Sequence, residues 1–156
     1  MPRRRPGALR VEQYGPRAWE GPPPDRIHGL SARTSLAIHR VERLSADYYV
    51  YPGATDRALQ RYQAFMEPPG RRPLYPQDAE CSCPGCSFDD VRHARDVLEL
   101  VLEQLPVRAR AELKRQVASL DTVYLKRTLP DPFADRWQWG SDLWWRCRLA
   151  GGREPE

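Results

Sequence analysis

Long apolar runs are missing from this 156-residue chain, and no stretch approaches the roughly 18 apolar residues that a membrane-spanning helix needs. Met1-Pro2-Arg3-Arg4-Arg5 offers the charged start of a secretory leader, but no apolar segment of about seven or more residues follows it. A soluble, cytoplasmic protein is therefore expected. Lysine is nearly absent: Lys114 and Lys126 are the only two among 25 basic residues. Arginine dominance beside many prolines, alanines and glycines points to a GC-rich coding sequence, which weakens arginine content as a sign of phosphate binding. Recognisable catalytic patterns are also missing. There is no Gly-rich phosphate loop, nucleophile elbow or His-Glu pair on a helix, and the three histidines His28, His39 and His93 are scattered. Asp131 and Asp135 could form a carboxylate pair, but beside Pro130 and Pro132 they read as turn caps. An enzymatic role is not favoured.

The net charge of +4 is unevenly spread. Residues 1 to 30 carry six Arg against three acids, whereas residues 31 to 156 carry 19 basic and 18 acidic groups. Such a length suits one domain. Residues 1 to 30 are rich in proline and poor in aliphatic side chains, so they are predicted to form a disordered basic arm that cannot bury enough surface to offset its ordering entropy. A single small, mainly α-helical domain is expected over residues 31 to 150, followed by a flexible tail at 151 to 156.

Within that domain, Ala37, Ile38, Val41 and Leu44 recur at helical spacing. Tyr48-Tyr49-Val50-Tyr51 reads as a short extended segment stopped by Pro52-Gly53, and Thr55 as the N-cap of a helix over 56 to 66. After a Pro-rich connection at 67 to 80, Ser87 reads as an N-cap with Asp90 at the capping-box position. Val91, Ala94, Leu98, Val101, Leu102 and Leu105 form an apolar stripe, which leaves Asp89, Arg92, Arg95, Asp96, Glu99 and Glu103 to face water. Leu105-Pro106 breaks this helix and opens the next, whose stripe is Leu113, Val117, Leu120 and Tyr124. The two predict an antiparallel helical hairpin at about 88 to 104 and 107 to 126. At about 1.5 Å per residue the second helix returns its end to the start of the first.

That start carries Cys81-Ser82-Cys83-Pro84-Gly85-Cys86, three of the four cysteines on a tight turn. Closely spaced thiols suit a soft metal ion, and a structural zinc held by Cys81, Cys83 and Cys86 is predicted, with His93 as fourth ligand and Cys147 as the alternative. An iron–sulfur cluster fits the same ligands less well, and three unligated surface thiols are the plain alternative. Charge at the helix N-terminus is expected to favour the Cys86 thiolate. A short helix from Ser141 to Leu149 places Trp144, Trp145, Arg146, Cys147 and Arg148 near the cysteine turn. Most of the tryptophans are expected to close the core, with Trp145 left exposed for a partner, helped by Arg146 and Arg148.

The stretch from Cys81 to Leu149, with its cysteine turn, its Leu105-Pro106-Val107-Arg108-Ala109-Arg110 hinge, Arg127-Thr128-Leu129-Pro130-Asp131-Pro132 and the Trp144-Trp145 pair, resembles uncharacterised small cysteine-cluster proteins of high-GC bacteria. That resemblance implies no particular activity. The turn at 81 to 86 also resembles a zinc knuckle without its paired second half. The function expected is a non-enzymatic, zinc-stabilised binding module, nucleic-acid-associated or regulatory, with Arg3, Arg4 and Arg5 adding phosphate attraction. The alternatives are a protein-interaction factor docking on a host or phage protein, and, further off, a thiol redox protein.

Overall fold

The computed structural model describes residues 22–136 and 140–152, and the chain is mainly helical. Arg3, Arg4 and Arg5, the rest of the arm up to residue 21, Trp137, Trp139 and residues 153–156 lie outside the described residues. Four α-helices are seen among those described: α1 (Ala32–Leu44), α2 (Ala54–Phe65), α3 (Val91–Gln104) and α4 (Val107–Arg127). Short 3₁₀ turns occupy Cys86–Asp89, Ala134–Arg136 and Ser141–Cys147.

The hairpin of α3 and α4 forms as its stripes require. Val91, Ala94, Val97, Leu98, Val101, Leu102 and Leu105 are all buried, as are Leu113, Val117 and Tyr124 facing them. Arg95 near the start of α3 reaches Asp121 near the end of α4 at 3.0 Å, which fixes the antiparallel return. α3 also packs extensively along α2, while α1 lies chiefly on α4.

Several local expectations are corrected. Ile27 and Leu30, assigned to the arm, are each 1% exposed, so the domain begins before residue 31. At the other end, the Gly151 amide donates to the Pro76 carbonyl at 2.8 Å, so the first residue of the expected tail is tied to the body. α1 buries Thr34, Ser35, Ile38 and Glu42 instead of its most apolar face, and Leu44 is left 77% exposed. The reason is Glu42, whose carboxylate accepts from the Gly53 and Thr55 amides at 2.9 and 2.8 Å. It caps α2 from another helix, where a negative charge is favoured. Gly53 adopts φ 92°, a left-handed conformation suited to glycine, and α2 starts at Ala54 without Thr55 as its cap. Tyr48 and Tyr49 form a turn instead of an extended segment.

α3 begins at Val91, later than the capping box implied. Asp90 is its N-cap, accepting from the Arg92 amide at 2.9 Å, and residues 86 to 89 form a separate 3₁₀ turn. The expected helix at 141 to 149 is a kinked 3₁₀ segment to Cys147 followed by extended chain. Its backbone pairs with the chain after α4: the Leu149 amide donates to Leu129 and the Asp131 amide to Cys147. The Asp131 carboxylate accepts from the Phe133 amide at 2.8 Å, a turn cap as expected.

Candidate metal centre

The cysteine turn sits where α2, the start of α3 and the Tyr48-Tyr49 turn meet. Arg61 of α2 donates from Nε to the Phe88 carbonyl at 2.7 Å and from Nη2 to the Asp89 carbonyl at 2.9 Å. The Tyr49 hydroxyl donates to the Ser82 carbonyl at 3.0 Å, and the Ser87 amide to the Cys83 carbonyl at 3.0 Å. Pro84 and Phe88 are buried beneath the turn. The backbone is thereby held from below while the thiols face outward, Cys81 and Cys86 exposed and Cys83 half-buried.

Among the described residues, the sulfurs of Cys81, Cys83 and Cys86 lie within 4.8 Å of one another. Zinc–sulfur bonds of about 2.3 Å in a tetrahedron place sulfurs about 3.8 Å apart, so the spacing suits one ion. The Cys81 and Cys83 sulfurs are closer, at 3.2 Å, and need only separate slightly to share it. All four cysteines are free thiols. The arrangement is compatible with a structural metal site.

Negative charge settles on Cys83, not on Cys86. The Cys86 backbone amide donates to the Cys83 sulfur at 3.3 Å, and together with the neighbouring thiols it lowers the Cys83 pKa to about 7. Cys86, whose thiol donates to Cys81 and Cys83, is pushed up to about 12. The expected preference for Cys86 fails because α3 starts only at Val91 and the nearest free amide points at the other sulfur.

His93 stands beside this group and is not one of the three mutually close donors. It is 8% exposed, with its ring edge-on to Tyr49 and Phe88 at centroid distances of 4.6 and 5.1 Å. Its Nε2 is buried without a hydrogen-bond partner. Burial lowers its pKa, favouring the neutral imidazole. His93 and Cys81 both line an open cleft of about 600 Å³ with Tyr49, Asp78, Glu80 and Arg146. Cys147 also stands apart, its carbonyl engaged by the Asp131 amide and its sulfur 4.0 Å from the Leu143 carbonyl.

Of the residues proposed to meet a partner, the described ones, Trp145, Arg146 and Arg148, are engaged within the fold. Trp145 is 1% exposed, contrary to expectation: its Nε1 donates to Asp96 at 2.7 Å, its carbonyl accepts from the Tyr124 hydroxyl at 3.0 Å, and the Arg95 guanidinium lies 4.2 Å from its ring. Arg146 donates from Nε to both carboxylate oxygens of Asp96 at 3.1 and 3.0 Å. Arg148 bonds the Thr128 hydroxyl at 2.9 Å and the Leu125 carbonyl at 3.1 Å, closing the end of α4. Arg92 and Arg95, expected in water, are 9% and 6% exposed because the C-terminal segment and the Pro-rich connection cover this side of α3. Arg92 pairs with Asp90 at 2.9 Å and with Asp78.

Sequence reasoning missed Arg61, Tyr49, Glu42 and Asp96 as supports of this region. Only Glu42 left a signal, four residues beyond Ile38 on what should be an apolar face. Comparisons with protein-family models, curated proteins and solved structures found no match for this chain.

Proposed function

We propose that the chain is a small helical binding module whose cysteine turn is organised by zinc, held by Cys81, Cys83 and Cys86. The convergence of three thiols on a turn already anchored by Arg61 and Tyr49 carries this reading. Zinc is preferred to an iron–sulfur cluster because such clusters are held by four cysteine thiolates. Cys147, the one other cysteine, is occupied elsewhere in the fold. Binding would neutralise charge on clustered thiolates and lock residues 81 to 90 against α2 and α3.

A protein is favoured over nucleic acid as the partner. With Trp145, Arg146 and Arg148 engaged internally, nucleic acid retains only Arg3, Arg4 and Arg5 of its proposed contacts. Leu36 and Leu44 are meanwhile 55% and 77% exposed on α1, beside a shallow groove of Ala37, Val41 and Pro106.

Elemental analysis combined with native mass spectrometry tests the metal. One zinc per chain, lost in Cys83→Ser, is the expected result; wild-type protein without bound metal refutes it. Salt-titrated binding to mixed oligonucleotides tests the partner class, and tight, salt-sensitive binding would overturn the protein reading.

A further inference from the structure

Two of the three thiols are exposed, so an ion seated on them keeps one side toward solvent. The remaining cysteine and the nearest histidine are each held elsewhere. Cys147 is fixed by backbone pairing between the C-terminal segment and the chain after α4. His93 sits edge-on to Tyr49 and Phe88, and turning it toward the sulfurs would break both ring contacts and uncover buried surface.

What lies open on the Cys81 side is the cleft. Its volume of about 600 Å³ admits a side chain or small molecule, and its wall includes His93, 92% buried, whose Nε2 lacks a hydrogen-bond partner. A buried polar atom left unpaired in a cleft wall calls for a ligand or water to complete it. The other lining groups set the charge of that ligand. Four carboxylates, Asp78, Glu80, Asp90 and Asp96, stand against two guanidinium groups, Arg92 paired with Asp90 and Asp78 and Arg146 paired with Asp96, so the surroundings of the cleft are net negative. Three thiolates around a divalent ion leave one net negative charge. An anionic donor would be repelled from both directions, whereas a neutral nitrogen donor would not.

Resting on the zinc reading above, the geometry points to a metal centre with three thiolate ligands from the chain and a fourth position, opening on the adjacent cleft, for a neutral donor of the imidazole class brought from outside. Zinc accepts mixed sulfur and nitrogen ligation, and sites with three protein ligands keep the fourth position exchangeable. The metal then serves both as a brace for the turn and as a point of attachment, the cleft supplying the walls.

Replacing zinc by cobalt(II) in the full chain makes both layers visible. Sulfur-to-cobalt charge-transfer absorption reports the three thiolates. The visible ligand-field bands report the fourth position. Free imidazole is expected to shift those bands saturably in the wild type, acetate to leave them in place, and His93→Gln and Cys147→Ser to give the wild-type spectrum before imidazole is added. Bands that ignore imidazole overturn the inference, as does a changed starting spectrum in either variant, which would identify that residue as an internal fourth ligand. An equal response to acetate overturns the preference for a neutral donor. Absence of charge transfer in the wild type removes the metal reading itself, a failure distinct from the others.

Discussion

Replacing Trp145 by Ala should cripple the fold instead of merely weakening a docking surface. The indole is 1% exposed, and a buried tryptophan removes about 150–250 Å² from water. At about 25 cal/mol per Å² that is about 4–6 kcal/mol, reduced to about 3–5 because unfolded chains already bury part of their surface. The same range is found for large aromatic-to-Ala core substitutions, about 3–5 kcal/mol. The loss would also take a hydrogen bond from the half-buried Asp96 and strip the ring from beneath the buried Arg95, leaving both charges less well compensated. Against a total stability of about 5–15 kcal/mol this is about a fifth at the least. Urea unfolding followed by far-ultraviolet circular dichroism measures it: with m in the middle of the range of about 1–3 kcal/mol/M, the midpoint should fall by about 2 M. Trp145→Phe separates packing from polar loss, since it keeps most of the ring but not the Nε1 donor, and should cost about 1–3 kcal/mol. A Trp145→Ala midpoint unchanged within about 0.3 M would refute the reasoning, because an exposed partner-binding residue shifts stability by no more than about 0.5 kcal/mol.

In metal-free protein, iodoacetamide should alkylate Cys83 ahead of Cys86, with the Cys83 rate half-maximal at about pH 7 and falling in more acid solution; peptide mass spectrometry resolves the sites, and equal rates would contradict the charge distribution. For His93, burial lowers the folded-state pKa despite the opposing Asp96, with Arg146 adding to the lowering and Asp90 and Asp47 opposing it. Its contribution to stability is complete above about pH 6.5 and declines as pH falls through that value, since the unfolded chain then binds the proton more readily. The drop in urea midpoint between pH 7.5 and 5.5 should therefore be smaller in His93→Gln than in wild type. Removing the carboxylate in Glu42→Ala leaves the Gly53 and Thr55 amides without their acceptor and should cost about 2–4 kcal/mol in the same unfolding assay, whereas Leu44→Ala, at a side chain 77% exposed, should stay within about 0.5 kcal/mol.

The parts of this protein legible without coordinates are those encoded over a few neighbouring residues. The α3 and α4 stripes repeat at helical spacing, Leu105-Pro106 ends one helix and begins the next, and Cys81, Cys83 and Cys86 cannot be far apart because the chain joins them over six residues. Periodicity, proline geometry and covalent proximity are local, so they survive in a string of letters. The face of α3 holding Arg92, Arg95 and Asp96 looks solvated by the same local rule, and it is the C-terminal segment with Trp145 and the connection with Asp78, folding back over it, that bury Arg92 and Arg95. Likewise Glu42 becomes the cap of α2, and Arg61 the clamp on the cysteine turn, through contacts 11 to 28 residues away in sequence. Which sulfur holds the charge depends first on the direction of the Cys86 amide and then on how the neighbouring thiols donate, both set once the turn is anchored and α3 starts at Val91. Such assignments follow from how separate elements meet, because hydrogen-bond direction and burial are properties of the packed arrangement and not of any one segment.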